Sequence, residues 1–353
     1  MKCTLVLVLA LVLADSIAAH EAPTHKHAQL IPIPAYRKPY GEAGAQASRQ
    51  AAKAFLAALS ETTGKRLMFA LNAPERAGWS NLPAGIVDRT GIAVAELSDE
   101  QRGLLFDFLA SSLSEEGYGR VMDIMAAEAF LSSDRRARRL QWDPQNYWIS
   151  FYGTPSADLP WGWQYGGHHL VLNMSVANNK VETLSPSFVG TEPAVFSLNG
   201  VDYASMVDMH QAGYAVYSAL DAEQRAEADA ERVPRDVQTG PGKDGVIPPV
   251  IGIRASKLRN EQKALLLTAI QKWVAIQPSE NAAPRMAQIE SELNQTHFAW
   301  IGENTSNTPA YMRIQGPTLI IELLSTGGNV GENASGKGHY HSIYRNPSME
   351  YGG

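Results

Sequence analysis

Residues 166–175 read GGHHLVLNMS and residues 315–324 read QGPTLIIELL. Laid over one another, Gly167 meets Gly316 and Leu170 meets Leu319, each pair 149 positions apart. The same offset brings Gly153 onto Gly302, Phe151 onto Trp300, Gln164 onto Arg313 and Asn173 onto Glu322. Upstream, LSDEQRGLLFDFLASSL from Leu97 resembles LRNEQKALLLTAIQKWV from Leu258, with Glu-Gln-basic before a double leucine and apolar residues at helical spacing. Ser98 and Gln101 have capping-box spacing at the first of these helices. A third copy of the opening, LDAEQRAEADAER from Leu220, lacks the apolar face and reads as a short surface helix. The pattern predicts an α+β fold. A helix-helix-strand-strand unit occurs twice, over about 97–196 and 258–350, and packs as one globular domain on an antiparallel sheet. The Pro/Gly-rich stretch from Val233 to Gly252 reads as loop between the copies.

The ends and the bulk properties set limits. Residues 1–19 combine Lys2, an apolar run and small closing residues, and read as a secretory signal too short for a good membrane span. The chain is therefore expected to be secreted or periplasmic, with no stable membrane span. Residues 20–42, carrying His20, His25 and His27, read as a flexible tail, and residues 43–353 as a single domain. The one cysteine, Cys3, falls in the signal, which excludes disulfides and thiolate metal sites from the rest of the chain. Net charge is −6 with no basic stripe, so nucleic acid is not an expected partner. Sequons begin at Asn173, Asn294, Asn304 and Asn333.

Strand side chains alternate between faces. Read as strand, the first segment puts His168 with Leu170, Leu172 and Met174 on an apolar face. His169 shares the other face with Asn173, whose partner in the second copy is Glu322. Near the C-terminus His339 and His341 flank Tyr340, and this spacing on a strand aims both rings at one point. Outside the tail only six histidines remain, and four of them fall in these two pairs. Three imidazoles with a carboxylate suit Zn, Cu or Fe. Glu322, amid apolar residues, and Glu192, in FVGTEPAVF, are candidate ligands or bases. Arg313 and Arg345 are candidates to bind an anionic group, alternatively salt bridges to Glu192 or Glu322. Asn173 and Trp300 complete the candidate substrate contacts. No P-loop, dinucleotide fingerprint, nucleophile elbow or His-Glu-x-x-His helix occurs.

Several of these pieces together resemble the domain-of-unknown-function 3500 family, found in bacteria and fungi and often secreted. They are GHHLVLN from Gly167, GTEPA from Gly190, FAWIG from Phe298, YMRIQGP from Tyr311 and HYHSIYRNPSMEYG from His339. RAGWSNLP from Arg76, with the later Arg89-Thr-Gly, is similar to the family's N-terminal portion, so the likeness runs from about Pro74 to the C-terminus. The resemblance carries no established activity. It implies that His169, Asn173, Glu192, Arg313, Glu322, His339 and His341 are family motif positions, while HEAPTHKH lies outside the pattern.

The expected function is a metal-dependent hydrolase acting on a small or anionic substrate. The ion would be held by His339, His341 and one of His168 and His169, with His169 preferred. The alternatives are a copper- or iron-dependent oxidoreductase and a non-catalytic ligand-binding protein with structural histidines.

Overall fold

The computed structural model describes residues 43–305, 308–327 and 338–353. The signal, the histidine-bearing tail and the Asn333 sequon lie outside these. Eight strands carry the architecture: β1 (Tyr147–Tyr152), β2 (Trp161–Gly167), β3 (Leu170–Ala177), β4 (Lys180–Thr191), β5 (His297–Gly302), β6 (Pro309–Gly316), β7 (Leu319–Thr326) and β8 (Tyr340–Arg345). They form one sheet in the order β1-β2-β3-β4-β8-β7-β6-β5. Two four-stranded antiparallel meanders therefore meet at the central pair β4–β8, where Gly190 faces His341. Short strands extend the edges, and Met68–Phe69 pairs in parallel, making the sheet mixed.

The sheet differs from the predicted one in strand count. Each half contributes four main strands rather than two. WGWQYGGHHLVLNMSV is a hairpin, not one strand: β2 and β3 are joined by the two-residue turn His168–His169. His169 has φ 63°, a left-handed conformation that reverses the chain. The 149-residue offset holds in the pairing itself. Gln164 pairs with Asn173 where Arg313 pairs with Glu322, and Gly167 with Leu170 where Gly316 pairs with Leu319.

Helices cover one face. Helix Asp99–Ser112 starts with the Ser98–Gln101 capping box, as its sequence predicts, and its counterpart is helix Asn260–Val274. The short helix after Leu220 forms over Ala222–Ala228. Helix Glu115–Leu131 is buried almost all round, which explains its weak amphipathic pattern. Arg120, on this helix, makes a two-pronged ion pair with Asp208 at 2.9 and 3.0 Å, tying it to helix Val207–Ser218. The segment Val233–Gly252 is loop, as its sequence predicts, and it crosses the opposite face as a strap. Val237 joins Val171, Phe188, Tyr311, Leu324 and Ile343 in a second apolar cluster there. With both faces covered, strands such as β7 are buried at nearly every position rather than alternately. Asn173 is fully buried, so folding closes that sequon. Among the described residues no helix is long and apolar enough to cross a membrane.

Helix Val207–Ser218 also buries His210 against Trp300 and Tyr340, with no partner on its Nε2. Burial pushes its pKa down to about 4, against about 6.5 when unfolded. The unfolded chain thus binds this proton more readily, and stability is full above pH 6.5 and falls as pH drops towards 4, by about 3 kcal/mol for this group. His210→Phe should narrow the gap between urea midpoints at pH 7 and pH 4.5. An unchanged gap would refute the assignment.

Candidate metal centre

Three segments distant in sequence meet at one end of the central strands: the β2–β3 turn, the end of β4 and the start of β8. The turn is held by its backbone. His169 N donates to Asn81 O (3.0 Å), Gly190 N donates to His169 O (2.6 Å), and Tyr147 Oη donates to His168 O (2.9 Å). A side chain at 190 would lie 2.8 Å from Tyr340 O and 3.1 Å from the His169 ring, so glycine permits this approach.

His339 and His341 do share a side of the chain, as their spacing predicts. The Nε2 atom of His339 lies 3.0 Å from that of His169 and 3.0 Å from that of His341. The ring planes meet at 61° and 88°, so edges converge rather than faces stacking. A neutral imidazole has one N–H. His341 Nδ1 sits 2.8 Å from Asp236 Oδ1, which places its proton there and leaves Nε2 bare. A single proton on His339 Nε2 can then satisfy only one of its two close nitrogen contacts. A cation satisfies all three lone pairs together. Ligands about 2.1 Å from an ion are about 3.0 Å apart at right angles and about 3.4 Å apart in a tetrahedron, so the observed spacing fits a metal. Histidines 169, 339 and 341 form a cluster that could hold a metal ion.

The surroundings keep His169 and His339 unprotonated, as ligation requires. Burial, then repulsion from His168, His339 and His341, holds His169 well below the usual range. Burial, with His341 and His168 nearby, brings His339 down to about 3. Asp236 stays below its ordinary value. Burial opposes this, but the hydrogen bond and charge of His341 outweigh it. Carboxylate–histidine pairs of this kind fix the tautomer of a metal ligand.

His168 stands behind the cluster. Its ring lies 3.8 Å from that of His169 in a 26° stack, with Trp142 at 6.0 Å and Arg136 over Trp142 at 4.8 Å. Its Nδ1 meets Glu128 Oε2 at 2.7 Å, both groups buried. Burial drives Glu128 up and His168 down, so the pair shares one proton as a neutral hydrogen bond. His168, His169 and Glu192 also have donor atoms within 4.8 Å of each other. The parallel stack of the two rings is poor geometry for one ion, since ring-nitrogen lone pairs lie in the ring plane. Glu192 Oε2 is 3.9 Å from His339 Nε2, and burial raises its carboxyl to about 7.

The structure thus gathers His168, His169, His339, His341 and Glu192. Five other candidates are bound elsewhere. Glu322 accepts from Gln238 N, Thr239 N, Thr239 Oγ1 and Tyr311 Oη. Arg313 donates to Gln238 and Pro249 O, and Arg345 to Thr239 O, Gly240 O, Asp244 and Glu350. Neither arginine pairs with Glu192 or Glu322. Asn173 accepts from Gln164 and donates to Pro186 O. Trp300 is core, its Nε1 donating to Gly302 O. Glu322, Arg313 and Arg345 pin the strap, so their charges are spent inside the fold, and Asn173 bridges neighbouring strand segments. The sequence reading missed Asp236, Glu128, Trp142 and Arg136. Glu128, a carboxylate inside the apolar run AAEAFL, was the one with a visible signal.

No curated protein and no solved structure matches the chain. The profile of one family matches residues 41–353, which include all the described residues, and its description is "Protein of unknown function (DUF3500)". On that match, and in line with the motifs read from its sequence, the chain belongs to the DUF3500 family.

Proposed function

We propose that the protein is a secreted metal-dependent hydrolase acting on a small anionic substrate, built by duplication of one helix-and-meander unit. His339 Nε2, 3.0 Å from the Nε2 atoms of both His169 and His341, carries the reading. A divalent ion on three imidazoles supplies Lewis acidity at neutral pH. Glu192, with its proton affinity near neutrality, holds or releases a proton at Oε2 beside the ion ligands. Arg136, the cation whose field acts on Glu192, is paired with Asp134 at 3.0 Å but stays partly exposed, and it takes the substrate-orienting role in place of the buried Arg313 and Arg345. Secretion rests on the leader-like residues 1–19.

A second reading has its own support. Spacings of 3.0 Å correspond to near-right angles, which suit iron or copper better than tetrahedral zinc. That favours an oxidoreductase on the same ligands. A panel of chromogenic esters and phosphoesters, run with and without chelator, separates the two. Ion-dependent hydrolysis that Glu192→Gln lowers at least 100-fold, with ion content retained, supports the hydrolase. Ion-loaded protein that consumes oxygen with an added reductant, yet hydrolyses nothing, supports the oxidoreductase.

A further inference from the structure

We infer a second ligand site, separate from the histidine cluster, that binds a small zwitterion of amino-acid type. It lies at the other end of the β2–β3 hairpin. Ser175, beside it, is six residues along β3 from His169, or roughly 20 Å at strand rise. A cavity of about 530 Å³ opens there, a size typical of small-molecule sites.

Arg76 lines this cavity and is 4% exposed. Its Nη1 donates to Tyr351 O (3.0 Å), and its Nη2 to Met174 O (2.9 Å) and Ser175 Oγ (2.8 Å). The guanidinium lies 5.1 Å from the Tyr152 ring centre and 5.4 Å from that of Tyr351. It makes no ion pair among the described residues, and its Nε–H has no partner. A buried cation without a counter-ion is costly. Burial alone lowers its pKa to about 10. The buried guanidinium thus stands at the cavity wall without a counter-ion. A carboxylate supplies the missing charge.

Two acids line the cavity as well. Glu350 is already held by Arg345 at 2.6 Å. Glu182, on β4 opposite the irregular pairing at Ser175–Val176, makes no ion pair among the described residues. A simple anion would leave Glu182 repelling it. A molecule with both a carboxylate and an ammonium matches Arg76 and Glu182 together. Leu71, Pro160 and Val176 add apolar wall for a side chain.

Calorimetric titration of the full chain tests this with leucine, serine and phenylalanine, and with leucinamide and 4-methylvalerate as probes lacking one charge each. Saturable binding of at least one amino acid is expected. Leucinamide and 4-methylvalerate should bind at least tenfold more weakly than leucine. Arg76 also holds strand backbone, so the variants are chosen elsewhere. Ala177→Trp, at the cavity wall, should abolish binding, and Glu182→Gln should level leucine with 4-methylvalerate. Both should leave ion content at the histidine cluster unchanged. Three outcomes overturn the inference: no saturable binding of any of the three amino acids, leucinamide binding as tightly as leucine, or binding that survives Ala177→Trp.

Discussion

Expressed without a histidine tag, the chain is expected to hold about one divalent transition ion per molecule after dialysis. His169→Ala, His339→Ala and His341→Ala should each weaken retention at least 100-fold, because each removes one of three ligands whose Nε2 atoms meet at one point. Asp236→Asn should cost about 10–100-fold, the usual range for a group that orients a ligand from behind. His168→Ala should keep most of the ion, since His168 stacks on a ligand and bonds Glu128 rather than the ion. Ion binding should also raise thermal stability, by about 2.7 kcal/mol at a hundredfold excess over Kd. Metal analysis by mass spectrometry reads the stoichiometry. Wild-type protein that takes up no Zn, Cu, Fe or Mn would falsify the metal centre, and the neutral histidines would then serve packing alone.

Glu322→Ala should be among the most destabilising single changes in the chain. The carboxylate is fully buried and takes two backbone N–H groups at 2.8 Å and two hydroxyls at 2.5 Å. Removing it strands four donors, three of them buried, and frees the strap at Gln238 and Thr239. The expected loss is about 3–5 kcal/mol, or roughly 5–8 °C in Tm for a domain of this size. Glu322→Gln should fall between, since an amide retains one acceptor oxygen where a carboxylate has two. Hydrogen exchange should rise first at residues 236–240, which also hold Asp236 against His341. A Tm within about 2 °C of wild type would show that the strap does not depend on this carboxylate. The consequence for function is direct: Glu322 acts on the site only by holding the segment that carries Asp236.

Much of the site and part of the fold can be read along the chain because they depend on local periodicity. Capping at Ser98, the apolar spacing after Leu97 and Leu258, and the shared side of His339 and His341 each follow from a few neighbouring residues. The constant offset between Gly167 and Gly316 also survives in the observed strand register. The His168–His169 turn does not announce itself. Imidazoles carry no strong turn preference, and the flanking apolar residues extend a strand pattern straight through it. His169 meets His339 while His168 stacks behind it, but strand alternation is not how the two rings are placed. Backbone anchoring of the turn by Asn81, Tyr147 and Gly190 does that instead.

What remained hidden depends on contacts between residues far apart in sequence. Asp236 reaches His341 across 105 positions, Glu322 reaches the strap across 83 and 84, and Glu128 reaches His168 across 40. A buried carboxylate must find donors, but its own neighbours in sequence do not say which. Glu322 and Glu192 looked alike as acids among apolar residues. Only the packed chain separates them, giving Glu322 four protein donors and leaving Glu192 beside the histidines with a raised proton affinity. Residue types and their spacing were enough to single out the histidines that cluster. Which carboxylate supports the fold and which lies beside those histidines was decided by where the strap crosses the sheet, because burial and hydrogen bonding are set by tertiary neighbours.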